Sequence, residues 1–191
     1  MDLPPVIITD EYIPIPKIFQ PFGDEGPFQE CMICSCDLLD EDDDVQYVIE
    51  RAFVGDEPIY EFAICVDCQH EMFEELSGES RQRIQAHFEE RVDLADRREL
   101  LISESELDLD SWIDACVLTK TKRKSSRAHA IYGHCCGSNL LFSYMPYVVS
   151  EEGMQGLQHL ISKKTRDQLD GFVDDYLGLP PEFKDLPVAF L

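Results

Sequence analysis

The chain of 191 residues sets 16 Lys and Arg against 39 Asp and Glu, a formal charge of −23, and holds eight Cys and 44% hydrophobic residues. That length fits one domain or two small ones, and the apolar share suffices for a core, which excludes global disorder. The longest apolar run, 144–149, falls far short of the roughly 20 residues of a spanning helix, so no membrane segment is expected.

The excess of carboxylates repels phosphate backbones, which disfavours nucleic acid as a partner and points to a protein with a neutral or basic surface. No basic stretch followed by an apolar one opens the chain at Met1-Asp2-Leu3-Pro4-Pro5, so no signal peptide is read and a reducing cytoplasm is the expected location.

In chain order, residues 1–30 read as an extended arm. Pro4, Pro5, Pro14, Pro16, Pro21 and Pro27 each lack an amide donor and disfavour helix before them. The interleaved Val6, Ile7, Ile8, Ile13, Ile15 and Ile18 predict that the arm lies on a surface. A compact module follows over 31–102. Two β-rich stretches, 45–49 and 59–64, flank the turn signal Gly55-Asp56-Glu57-Pro58 and predict a hairpin. After Cys65 the period changes: Met72, Phe73 and Leu76 fit one helical face, and Ile84, Phe88, Val92 and Ala95 a second, with Ser77 as its cap.

An acidic linker, 103–111, leads to a second module over 112–191. There, 130–132 and 140–144 predict strands around Gly137-Ser138-Asn139. Ser150 offers a helix N-cap with Glu151 and Glu152 in the first turn, where the helix dipole favours them. Leu157, Leu160 and Ile161 form one apolar stripe, and Leu169, Phe172, Val173, Tyr176 and Leu177 another. Sliding the chain by 85 positions without a gap sets Cys31 on Cys116, Tyr47 on Tyr132, Phe62-Ala63-Ile64 on Tyr147-Val148-Val149, Ser77 on Ser162, Arg81 on Arg166 and Leu94 on Leu179. Shared pattern more than identity makes this a candidate internal duplication.

The chemistry lies in Cys31-Met32-Ile33-Cys34 and Cys65-Val66-Asp67-Cys68. Two residues between thiolates let one turn aim both sulfurs at a single cation, and two such pairs make a closed tetrahedral set with no open position for substrate. Zinc is favoured over iron, and the same cysteines as a redox dithiol or ordinary core are the alternatives. Cys36 and His70 are close enough in sequence to compete as ligands, but Cys36 reads more readily as a spare thiol beside the knuckle, and His70 as an outer-shell or exposed helical residue.

The order Cys pair, hairpin, then a Cys pair opening a helix resembles a treble-clef zinc finger over 31–78, in which a knuckle and a first helical turn give two ligands each. That resemblance implies the fold and the ligands Cys31, Cys34, Cys65 and Cys68, and no activity. Ser35-Cys36 stands where such a knuckle often carries Gly.

The fold class expected is therefore α+β, a treble-clef-like zinc module followed by a related hairpin-and-helix module that has lost its metal. In the gapless slide, Thr119, Ser150 and Gly153 replace three of the four ligands. The competing expectation is a second metal or redox site from Cys116 with His129, His134, Cys135 or Cys136, although neighbours on a strand point to opposite faces.

Asp40, Asp42 and Asp44 alternate as in a calcium loop, but Val45 sits where Gly is needed and Arg51 where Glu is, so a solvated loop tip is expected. The basic cluster Lys120, Lys122, Arg123, Lys124 and Arg127 reads as a solvated tip or an internal docking site for acids. Trp112 reads as a core or inter-module anchor. With no nucleophile elbow, phosphate loop or dinucleotide fingerprint, the expected function is non-enzymatic: a structural zinc protein with a four-cysteine site that binds another protein. Electron transfer through Cys135-Cys136 or a four-sulfur iron, and an acidic nucleic-acid mimic, are the alternatives.

Overall fold

The computed structural model describes residues 9–23, 26–40, 44–105 and 107–179. It is an α+β protein. Strands β1 (Tyr12–Pro14), β2 (Gln46–Val54), β3 (Glu57–Cys65), β4 (Ala128–Cys136), β5 (Asn139–Leu141) and β6 (Tyr147–Ser150) form one antiparallel sheet. Helices are α1 (Val66–Glu75), α2 (Gly78–Arg91), α3 (Leu94–Ser105), α4 (Leu109–Trp112), α5 (Glu151–Gln158) and α6 (Lys163–Phe172), the last continued by a π-helical turn, Val173–Leu177. The order across the sheet is β1-β5-β4-β2-β3. Because β2 pairs along all of β4, β5 and β6 must lie end to end on the other edge of β4.

Both faces of the sheet are covered, so β2 and β4 are buried nearly throughout instead of alternating. On one face lies the proline-rich arm. β1 pairs with β5, Ile15 N–H donates to Ser138 O at 3.0 Å, and Arg51 Nη1 donates to Ile18 O at 2.8 Å. Phe19, fully buried, sits over Gly133, where an added Cβ would meet its ring at 2.7 Å. The described part of the arm thus lies on a surface, as its isoleucines predict. On the other face Glu50, Tyr60, Phe62, Tyr132 and Tyr147 point towards the helices, Phe62 meeting Phe172 edge-on at 5.9 Å. Trp112 is 1% exposed; it packs edge-on against Phe142 at 4.9 Å and under the Arg97 guanidinium at 5.3 Å, the anchoring role its size suggests.

The two halves repeat the same local bonds. Ser35 N–H donates to Cys31 O and Lys120 N–H to Cys116 O, both at 2.9 Å. Cys31 N–H donates to Cys36 O at 2.9 Å and Cys116 N–H to Thr121 O at 2.8 Å. Met32 N–H donates to Ala63 O at 2.9 Å and Val117 N–H to Val148 O at 2.8 Å. The bridges Glu30–Asp37 and Ala115–Lys122 correspond in the same way.

The gapless slide fails inside the hairpin. The turns at Gly55 and Gly137 correspond three positions out of step with the knuckles, so Glu50, not Tyr47, matches Tyr132. The reason is local: the second half is shorter between knuckle and strand, and longer where 142–146 leaves the edge of β4 before β6 begins. That excursion ends β5 at Leu141, short of the strand predicted over 140–144. The stripe through Val92 is likewise cut, because Val92 is extended (φ −152°, ψ 130°) between α2 and α3.

Where α2 and α6 begin, four hydroxyls close on each other. Ser77 and Ser162 cap their helices by accepting from Ser80 N–H and Thr165 N–H, both at 3.2 Å. Ser77 Oγ lies 3.2 Å from Ser162 Oγ, and Ser80 Oγ 3.0 Å from Thr165 Oγ1. Crosswise, Ser77 N–H donates to Thr165 Oγ1 at 3.2 Å and Ser162 N–H to Ser80 Oγ at 2.9 Å. Ser77→Ala and Ser162→Ala should each lower stability by about 1 kcal/mol. Since both remove the same mutual bond, the double variant should lose less than the sum; urea unfolding of the three proteins checks this, and strict additivity would contradict it.

Candidate metal centre

The first thiols are placed by a tight reversal of the backbone at 31–36. Ser35 takes the left-handed conformation at φ 57°, the geometry for which Gly is usual and which costs a side-chain residue roughly 1–2 kcal/mol. Flanking bonds between Cys31 and Ser35 and between Cys31 and Cys36 hold it there. The second pair is placed by the end of β3: Cys65 is the extended N-cap of α1 (φ −64°, ψ 154°), and Cys68 lies buried in its first turn. Cys65 N–H donates to Cys31 Sγ at 3.4 Å, which ties the helix start to the knuckle.

Four sulfurs converge there, with the fifth cysteine, Cys68, in the helical turn that follows Cys65. The Sγ atoms of Cys31, Cys34, Cys36 and Cys65 all lie within 4.8 Å of one another, and this group can hold a metal ion. Cys68 stands outside that set of four, buried in the first turn of α1 three residues after Cys65. Cys34 and Cys65 are 3.8 Å apart, which fits the edge of about 3.8 Å of a tetrahedron of sulfurs at a Zn–S distance of about 2.3 Å. All eight cysteines are free thiols, with no disulfide among them.

The site is asymmetric in its exposure. Cys31, Cys65 and Cys68 are buried, Cys36 is half-buried and Cys34 faces solvent. The backbone N–H of Cys36 donates to the Cys34 sulfur and, with neighbouring thiols, brings Cys34 down to about 6. Burial, followed by the bond to Cys34, pushes Cys36 up to about 12, and burial also raises Cys65 and Cys68. Without a cation Cys36, Cys65 and Cys68 therefore favour the protonated form. A bound cation must displace those protons, so metal uptake strengthens as pH rises.

The corresponding place in the second half is built from hydroxyls. Lys120 takes the left-handed position (φ 62°), and Thr119 N–H donates to Cys116 Sγ at 3.4 Å. Thr119 Oγ1 lies 3.0 Å from both Thr121 Oγ1 and Ser150 Oγ. Ser150 caps α5 as predicted, accepting from Gly153 N–H at 3.2 Å. A Cβ at Gly153 would meet Val149 at 2.9 Å and Cys116 Sγ at 3.2 Å, so the space a ligand side chain would need is closed. Burial pushes the Cys116 thiol up, but bonds from Ser150 and Thr119 outweigh it and leave the thiol below its ordinary value.

None of the other candidate donors joins a metal-binding group among the described residues. His134 Nδ1 lies 3.1 Å from Ser143 Oγ and Nε2 3.0 Å from Gln46 Oε1, and burial lowers it to about 4. His129 stacks on Phe53 at 5.3 Å and is lowered to about 4 by burial and by Arg123. Cys135 is fully buried and faces Tyr47, whereas Cys136 reaches the Asp44 carbonyl at 3.6 Å. Burial raises both thiols, which makes them poor nucleophiles.

His70 is exposed and pairs with Glu74 at 3.4 Å. Within the basic cluster, Lys122 pairs with Asp114, Arg127 with Glu151, and Lys120 Nζ donates to Val117 O at 2.8 Å. Part of the acidic loop at 40–44 lies outside the described residues.

Sequence reasoning offers Cys36 as a competing ligand but favours a spare thiol, because spacing does not reveal where a side chain points after a left-handed residue; the structure groups it with Cys31, Cys34 and Cys65. The available signal was Ser35 itself, standing at a position that favours Gly. Comparison with protein-family models, curated proteins and solved structures finds no match, so the chemistry of the site rests on its own residues.

Proposed function

We propose that this is a non-enzymatic zinc protein in which a treble-clef-like first half holds one zinc and a duplicated second half has replaced the metal with hydroxyls. The observation that carries the reading is the paired architecture of the two knuckles. Where the first half gathers Cys31, Cys34, Cys36 and Cys65, the second keeps the same backbone bonds around Cys116, Thr119, Thr121 and Ser150. A frame that stands with hydroxyls in one copy needs the cation in the other for stability, not for chemistry. Four sulfurs closed on zinc leave no position open to water or substrate, in keeping with a structural role.

On this reading two modules, 31–102 and 112–191, share one sheet, which the described part of the arm covers on one face. Thiols that are reduced and unpaired suit the cytoplasm. The biochemical role is binding of another protein, with the surface charge of a chain at −23 selecting a neutral or basic partner.

Affinity capture with the zinc-loaded chain tests this. The expected result is a specific protein retained in the presence of added duplex DNA and weakened by salt. Capture only of DNA-binding proteins that duplex DNA displaces would instead identify a nucleic-acid mimic, and a visible absorption band in the purified chain would identify iron and electron transfer.

A further inference from the structure

We infer that Cys36 and Cys68 compete for the fourth ligand position, so that one cation is held by Cys31, Cys34 and Cys65 together with either of the two. This rests on the metal reading above and extends it from a fixed staple to an exchangeable one. Two independent observations carry it.

The first is the count of sulfurs. A tetrahedral cation takes four, yet five are at hand: Cys36 lies with Cys31, Cys34 and Cys65 inside 4.8 Å, and Cys68, set by the two-residue spacing to share a cation with Cys65, is buried in the first turn of α1. The second comes from the other half. Thr121 stands where Cys36 stands, and its hydroxyl joins the cluster at 3.0 Å from Thr119. Gly153 stands where Cys68 stands and has no room for a side chain, its Cβ falling 3.2 Å from Cys116 Sγ. The knuckle therefore aims its sixth residue into the cluster whether or not the helix contributes one.

Exposure gives the exchange a direction. Cys68 is buried beneath the site, whereas Cys36 is half-buried beside the exposed Cys34, so the arrangement with Cys36 holds the cation nearer solvent. The swap balances in protons: the entering Cys36 thiol gives one up and the leaving Cys68 thiolate takes one. A ligand that can leave while another replaces it lowers the barrier to handing the cation to an outside thiol or chelator.

Cobalt(II) titration of the reduced full chain reads this out through the sulfur-to-cobalt charge-transfer band. Cys36→Ser and Cys68→Ser should each retain one equivalent of cobalt with the four-sulfur spectrum. The Cys36→Ser/Cys68→Ser protein should lose that spectrum, and Cys36→Ser should release zinc to a competing chelator several-fold more slowly than the parent. Loss of the four-sulfur spectrum in Cys68→Ser, with Cys36→Ser identical to the parent in spectrum and release rate, would overturn the inference while leaving the metal site standing. Failure of the parent chain to bind cobalt or zinc at all would overturn the metal reading and this with it.

Alkylation of the zinc-loaded parent needs no variant: partial modification of both Cys36 and Cys68, with Cys31 protected, is expected. Complete modification of Cys36 beside complete protection of Cys68 contradicts it.

Discussion

Stripping the metal from the reduced chain with a chelator should lower its stability by a large margin, on the order of 10 kcal/mol at neutral pH, the scale found for structural zinc in small domains. The loss should be local in its onset. The knuckle at 31–36 and the start of α1 are joined by the Cys65 N–H bond to Cys31 Sγ and by the Met32 N–H bond to Ala63 O. Once the cation leaves, the buried Cys31 and Cys65 are joined across the knuckle by those two bonds and by core packing alone. Hydrogen exchange should therefore show the amides of Met32, Ser35 and Cys65 losing protection first.

Their counterparts Val117, Lys120 and Ser150 should keep it, because hydroxyl bonds replace the cation there. Equal loss of protection at both knuckles, or none at the first, would contradict this.

Replacing Glu50 by Gln should abolish a fall in stability that the parent shows as pH rises. Glu50 is 2% exposed at the centre of the sheet. It accepts from Tyr60 Oη at 2.7 Å and Tyr132 Oη at 3.1 Å, with Tyr147 on the same face. Burial, partly offset by those two hydroxyls, pushes the carboxyl up to about 8 from an ordinary 4.5.

Between those values the folded chain keeps a proton that the unfolded chain has released. Its contribution is therefore fully present below about pH 4.5 and is lost as pH climbs to 8. The slope approaches roughly 1.4 kcal/mol per pH unit. Glu50→Gln, which keeps an acceptor for the tyrosines and cannot ionise, should match the parent near pH 5 and exceed it clearly at pH 8. Urea midpoints across that range read the difference; parallel curves for the two proteins would show that Glu50 is not held protonated by the fold.

Much of the fold was legible because period and turn chemistry agree locally. Gly55 and the β-rich runs around it give the first hairpin, and Ser77 and Ser150 each cap a helix by accepting an amide three residues on. What was not legible depends on long-range covering. Neither the arm that buries Phe19 against Gly133 nor the excursion at 142–146 is written in a local period, and the latter shifts the correspondence of the hairpins.

The site shows the same division. The two Cys-x-x-Cys pairs are readable from spacing, and the convergence of Cys31, Cys34 and Cys65 follows from a knuckle meeting a helix start. Cys36 entered through the left-handed turn at Ser35, which only the backbone reveals.

Native mass spectrometry of the reduced, unsupplemented chain weighs the metal directly. One zinc per chain is expected, retained in Thr119→Ala and lost when Cys31 and Cys65 are both replaced by Ser. A chain that carries no metal, or two, or that keeps its zinc in that double variant, would contradict the structural-zinc reading.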